Sequence, residues 1–268
     1  MFWQTWYPNA VALEFGPLRL YWYGILIAIG LLLALNLITR AAPRFNIKKD
    51  DCYSLATWLL IFGIIGARLY EVVVINFDYY RSDPLAAFRV WEGGLAIHGA
   101  IIAGVLTLVV WNYWRRYNVW RLLDLAVVGL AFGQALGRWG NYFNQELFGR
   151  PTVGWWGIAI TPENRPGAYF EATHFQPLFF YESFLNLILG LALYTLVRRQ
   201  VKPGVVVAGY AIGYGIIRFG MEFLRIDETP EILGLRLPQL VSLALIVFGI
   251  GLLVFKYLNL DIFKREVA

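Results

Sequence analysis

The sequence predicts an all-α integral membrane protein: about seven transmembrane helices, an interfacial arm and a small extracytoplasmic head. Three observations lead there. Hydrophobic residues make up 59% of the 268-residue chain and charged residues 15%, against about 45–50% and 25% in soluble domains. The apolar surplus comes in blocks of about 20 residues, the length a helix needs to cross hydrocarbon. Short charged clusters separate the blocks, as in polytopic membrane proteins. A net charge of +5 is spread over loops rather than gathered in one patch, so no nucleic-acid partner is expected. The single cysteine, Cys52, excludes an internal disulfide and a cysteine-based metal cluster.

The aromatic, uncharged start MFWQTWYPNA suits the membrane interface. No secretory signal is evident, since Arg19 is the first basic residue and no small-residue cleavage site follows a short apolar core. The first span covers about Leu20–Thr39 and is followed by Arg40, Arg44, Lys48 and Lys49. The second, about Tyr53–Ile75, carries Arg68 and Glu71, read as an i,i+3 pair. Residues 77–92 are too polar and proline-broken to span and form the arm. The third span starts near Gly94, contains His98 and ends at Arg115–Arg116. The fourth covers about Leu122–Arg138, with Asp124 near its start, read as a cap or as the partner of Arg121.

Residues 142–176, rich in Pro, Gly and Trp, form the head. The last three spans cover about Pro177–Val197, Gly204–Phe223 and Pro238–Tyr257, ahead of a tail with Lys264 and Arg265. Residues 1–268 are thus expected to form one polytopic domain. Basic clusters at 40–49, 115–121, 198–202 and 256–265 contain every lysine. The positive-inside rule then places the C-terminus in the cytoplasm, and the N-terminus, arm and head outside.

Basic residues within spans or on the outer side are all arginine, whose guanidinium stays charged when buried and forks onto phosphate. In the sixth span Tyr214, Arg218, Glu222 and Arg225 recur at i, i+4, i+8 and i+11, one stripe of an otherwise apolar helix. Arg218 should lie roughly 8–10 Å inside the outer helix end. At the end of the fourth span stands GRWGNYFNQELFG, residues 137–149. If the helix continues past Gly140, Arg138, Asn141, Tyr142, Gln145 and Glu146 share a face; alternatively Gly137 and Gly140 bend it and free backbone amides. Two arginines at one depth describe a site for one phosphate monoanion, although Glu222 could also serve only to neutralise Arg218 and Arg225. Polar groups at that depth are functional candidates by default. His98 is either a structural hydrogen bonder or a proton acceptor. No metal ligand set is apparent.

GRWGNYFNQELFG resembles the signature G-R-x-G-N-F-x-N-x-E-x-x-G of the prolipoprotein diacylglyceryl transferases. The resemblance extends through YWYG at 21–24, GARL at 66–69, the arm with its HG, QPLFFYES, and YGIIRFGMEFLR. Two departures stand out: Tyr142 replaces phenylalanine, and Gln176 precedes Pro177 where histidine is usual, with His174 two residues earlier. The resemblance implies a multi-pass protein of the bacterial inner membrane. It implies transfer of the sn-1,2-diacylglyceryl group from phosphatidylglycerol to the lipobox cysteine of a prolipoprotein signal peptide, releasing glycerol 1-phosphate. No cofactor is implied. Arg138 and Arg218 would hold the phosphate, and His98 would take the thiol proton. Tyr23, Asn141, Asn144, Glu146, Tyr214 and Glu222 would orient the arginines or the headgroup, with Gly149 at a close backbone approach. An anion or lipid transporter with a buried arginine site is the alternative, although the chain shows none of the internal repeats common in transporters.

Overall fold

The structure, a computed structural model, describes residues 2–16 and 18–257; the tail with Lys264 and Arg265 lies outside them. Helix α1 (Phe2–Thr5) and a hairpin of β1 (Val11–Phe15) and β2 (Leu18–Tyr21) precede α2 (Trp22–Ala41). Then come α3 (Lys49–Tyr70), α4 (Phe77–Ser82), α5 (Ile97–Arg115) and α6 (Val119–Phe143). Strands β3 (Ile158–Ala159) and β4 (His174–Phe175) pair ahead of α7 (Leu178–Arg198) and α8 (Val205–Glu222). A last hairpin, β5 (Glu231–Ile232) and β6 (Leu235–Arg236), leads into α9 (Leu237–Tyr257). Among the described residues, seven helices (α2, α3, α5–α9) are long and apolar enough to cross a membrane. The three hairpins are additions to the all-α expectation; four of their strands are two residues long, too short for any alternation to be read from sequence.

The chain divides into two compact units, Ala42–Val119 and the segments on either side of it. In the smaller unit α3 and α5 cross where Gly66 faces Gly99 and Ala103; a Cβ on either glycine would overlap the opposing backbone. Small residues permit this approach, and dispersion then holds helices together in lipid. The expected Arg68–Glu71 pair is replaced by a different arrangement. Arg68 donates to the carbonyls of Ala86, Ala87, Arg89, Gly93 and Gly94 at 2.6–3.2 Å, and Glu71 accepts from Asn76 at 2.6 Å. The guanidinium turns to the arm because 3₁₀ turns at Pro84–Phe88 and Val90–Glu92 leave carbonyls without helical partners.

In the larger unit α6 is the longest helix and its helical hydrogen bonding continues through Gly137 and Gly140. Asp124 near its start is fully buried and does both things expected of it. Its carboxylate accepts from the amides of Gly204 (2.9 Å) and Val207 (3.1 Å) at the start of α8, where a negative charge is favourable, and lies 3.8 Å from Arg121. Gly215 and Gly249 seat α8 against α9. The head packs Tyr142, Phe148, Ile158, Ile160, Phe175 and Phe179 into a small core. It also recruits the N-terminal segment: His174 Nε2 meets the Gln4 carbonyl at 3.0 Å, and Gln145 donates to the Pro8 carbonyl at 2.8 Å.

Candidate active site

Arg138 precedes the end of α6 by five residues and Arg218 the end of α8 by four. At about 1.5 Å per residue both lie roughly 6–8 Å below their helix ends. Arg218 is shallower than the sequence reading because α8 stops at Glu222 instead of running on to Arg225. The two helices, separated by one intervening span, run in the same direction, so the arginines share one level.

Two buried carboxylates join them. Glu182 of α7 is 3% exposed and Glu222 of α8 is 1% exposed, so each needs a cation beside it. Arg138 forms a close ion pair with Glu182, and Arg225 Nη1 lies 3.7 Å from the same carboxylate. Arg225 Nε reaches Glu222 at 4.0 Å, Arg236 Nη1 at 3.1 Å and Arg218 Nη1 at 2.7 Å. The result is a chain Arg138–Glu182–Arg225–Glu222–Arg218, with Arg236 alongside. Asp227 closes the far side on Arg225 at 2.8 Å. Burial raises the Asp227 pKa, but the Arg225 hydrogen bond and the charges of Arg225 and Arg236 outweigh it and hold the carboxyl below its ordinary range. Four guanidiniums thus face three carboxylates, Glu182, Glu222 and Asp227, leaving one positive charge in excess.

That excess has an orientation. The Arg225 side chain is only 5% exposed, whereas Arg138 keeps 19% and Arg218 16%. Arg236 matches Arg218 in exposure, yet its donors are engaged with the carbonyls of Glu222, Arg225 and Asp227 and the Thr229 hydroxyl. Arg138 and Arg218 are therefore the members that can reach a ligand. The Arg218–Glu222 ion pair lacks hydrogen-bond alignment, so buried Arg218 Nη1 and both Glu222 oxygens retain hydrogen-bonding capacity. A cavity of about 540 Å³ opens on the Arg225 side of the network, lined among others by Arg150, Glu222, Arg225, Asp227 and Arg236, and by neither Arg138 nor Arg218.

The signature residues surround Arg138. Its Nη1 donates to Asn141 Oδ1 at 3.4 Å; Asn141 and Asn144 donate in turn to exposed Glu146 at 2.8 and 3.4 Å. Gly140 lies under the Tyr23 ring, where a Cβ would overlap the aromatic carbons. Gly149 bridges the Arg225 backbone and accepts no side chain, being closed in by Leu178, Gln176 and the Leu224 carbonyl. Two residues expected on the Arg138 face are elsewhere. Tyr142 stacks on Phe179 at 4.5 Å, and Gln145, in a left-handed turn at φ 52°, binds Pro8 and the Thr161 amide. The helix ends at Phe143, so extrapolating its periodicity to Gln145 fails. Tyr214 lies one turn below Arg218. His98 belongs to the smaller unit, in the first turn of α5, exposed and 5.8 Å from the Tyr70 ring.

Sequence reasoning gave no role to Glu182 or Arg236. An ionisable residue inside the fifth span was the available signal for Glu182. Arg236 sits in an ordinary-looking loop and carries no such signal.

A family model described as prolipoprotein diacylglyceryl transferase matches residues 10–255. Among curated relatives, a phosphatidylglycerol–prolipoprotein diacylglyceryl transferase of Synechococcus elongatus is 42% identical over 257 residues, covering 93% of this chain and 88% of its own. The protein of the same name from Parasynechococcus marenigrum is 43% identical over 255 residues, covering 90% and 91%. That from Halalkalibacterium halodurans is 38% identical over 241 residues, covering 89% and 83%.

Proposed function

Because this chain belongs to the prolipoprotein diacylglyceryl transferase family, we propose that Arg138 and Arg218 bind the phosphate of the lipid donor and stabilise its departure. The enzyme is a multi-pass protein of the bacterial inner membrane that transfers diacylglyceryl from phosphatidylglycerol to a prolipoprotein. The transporter alternative is not favoured, since the relatives bear the name of an enzyme.

The acceptor is the lipobox cysteine of the signal peptide. Its sulfur attacks the glycerol carbon that carries the phosphate; the C–S bond forms, the C–O bond breaks, and the electron pair leaves with the phosphate of glycerol 1-phosphate. The phosphodiester carries one negative charge and the departing monoester gains a second. Guanidiniums already positioned in a low-dielectric site stabilise that growing charge more than the ground state. The observation that carries the reading is the buried chain linking Arg138 to Arg218 through Glu182, Arg225 and Glu222. It holds two partly exposed cations at one level without letting them repel apart.

The thiol proton goes to His98, the one histidine within a span. A free thiol is only a few per cent ionised at pH 7, so a group that accepts its proton is needed. Asn141, Asn144 and Glu146 orient Arg138; Tyr23, Tyr214 and Glu222 shape the donor pocket, and Gly149 allows the chain to pass beside Arg225. The N-terminus, arm and head face outward and the C-terminus inward, which follows from the lysine-bearing clusters.

The test uses purified protein, phosphatidylglycerol and a peptide whose apolar run ends in cysteine, with and without chelator. A diacylglyceryl mass increment that survives chelation supports the reading; an unmodified peptide from folded protein refutes it. For His98→Gln, single-turnover transfer should fall by about 10²–10⁴, and a rate unchanged from wild type would remove the base role.

A further inference from the structure

One turn deeper than the arginine pair lies a second polar set that phosphate binding does not use. Gln134 of α6 stands four residues before Arg138, and Tyr210 and Tyr214 of α8 stand eight and four residues before Arg218. At 1.5 Å per residue, Gln134 and Tyr214 each lie about 6 Å below their arginine. The three side chains are half-buried. Tyr210 donates its hydroxyl hydrogen to Gln134 Oε1 at 3.1 Å, and its ring stacks on Tyr214 at 5.5 Å with the planes 3° apart. Among the described residues, neither the Gln134 amide nitrogen nor the Tyr214 hydroxyl has a hydrogen-bond partner.

A role limited to holding α6 on α8 explains only part of this. The Tyr210–Gln134 bond suffices for such glue, and a leucine pair would pack as well without exposing donors to hydrocarbon. An unpaired amide or hydroxyl at that depth costs several kcal/mol, so the donors call for acceptors supplied from outside the protein. The chemistry of the donor lipid provides them. If its phosphate lies at the level of Arg138 and Arg218, the next polar groups toward the tails, a few bonds further on, are two ester carbonyls. Those are acceptors only; the Gln134 amide and the Tyr214 hydroxyl can both donate.

We infer that Gln134, held by Tyr210, and Tyr214 form a subsite for the ester carbonyls of the diacyl donor, making the enzyme selective for ester-linked over ether-linked chains. This rests on the proposed phosphate site at the two arginines.

The experiment compares phosphatidylglycerol carrying two ester-linked chains with its diether analogue of equal chain length, as donors for full-length protein in detergent, reading kcat/KM. Wild type should favour the diester by about tenfold, the scale of one or two neutral hydrogen bonds. Gln134→Leu should lower transfer from the diester and leave the diether rate nearly unchanged, and Tyr214→Phe should lower the diester rate more than the diether rate, each moving the ratio toward one. Tyr210→Phe, which releases Gln134, should reduce the ratio partially. Arg218→Lys should slow both donors equally and keep the ratio. Equal use of both donors by wild type, or a ratio unmoved in Tyr214→Phe, which alters a single hydroxyl and keeps the ring stack, overturns the inference. The phosphate reading fails separately, if Arg138→Lys and Arg218→Lys retain full rates on both lipids.

Discussion

Replacing Arg138 with lysine keeps the charge and removes the fork, and the structure says what that should do. The guanidinium spans two neighbours at once: Nη2 on Glu182 and Nη1 toward Asn141 Oδ1 at 3.4 Å, with donors left over for a phosphate. A lysine ammonium is a single point with three donors. Glu182 is 3% exposed and will claim it, because an unpaired buried carboxylate is the costlier alternative. The phosphate then loses one charge-assisted contact that strengthens as the leaving group departs. Removal of one such contact costs about 3–4 kcal/mol of barrier, or roughly 10²–10³ in rate. The assay is single-turnover transfer to a lipobox peptide, followed by mass, with thermal unfolding run in parallel. Arg138→Lys should unfold near the wild-type temperature yet turn over at less than about a hundredth of its rate. A folded variant within threefold of wild type would falsify the bidentate argument.

Further outcomes test the scaffold. Glu182→Leu leaves Arg138 and Arg225 without their shared carboxylate and should cost about 3–5 kcal/mol, read as a lowered melting temperature; adding Arg138→Leu should recover part of the loss. Gly140→Ala drives a methyl into the Tyr23 ring and should cost about 1–3 kcal/mol; Tyr23→Ala in the same chain should restore stability. Asp227 has a folded pKa lowered beneath its ordinary value of 3.8, so its pairing with Arg225 and Arg236 stabilises the loop above that value and is lost as pH falls through the lowered one. Hydrogen-exchange protection of residues 223–236 should hold from pH 7 to 5 and decline only below about 4; a decline already at pH 6 would contradict the assignment.

The spans were legible because hydrocarbon imposes one rule on every segment that crosses it: backbone groups must be satisfied within the helix, and side chains must be apolar. Observed helix ends fall within a few residues of the expected ones, save where α6 runs on to Phe143 through two glycines and where α3 gives way at Glu71 to a π-helical turn ending at Ile75. Those glycines do not end the helix; Gly140 is needed for the close seat of Tyr23. Two of the three hairpins escaped notice since their strands, such as Glu231–Ile232, are two residues long, and those of the first are only five and four. Arg68 was noticed for its charge, but its partners, the carbonyls of the arm, carry no sequence mark at all.

By itself the sequence determined the membrane architecture, the family and the stripe of ionisable residues on α8, because periodicity and composition act locally along a chain. Glu222 between Arg218 and Arg225 was readable from their spacing, but only the tertiary structure decided which charges from other elements join them. Glu182 serves Arg138 and Arg225, Arg236 returns from the second strand of a hairpin to Glu222, and Gln145 leaves the expected face for Pro8. The physical reason is that a buried charge accepts any partner that packing brings within a few ångströms, and that proximity belongs to the fold rather than to spacing along the chain.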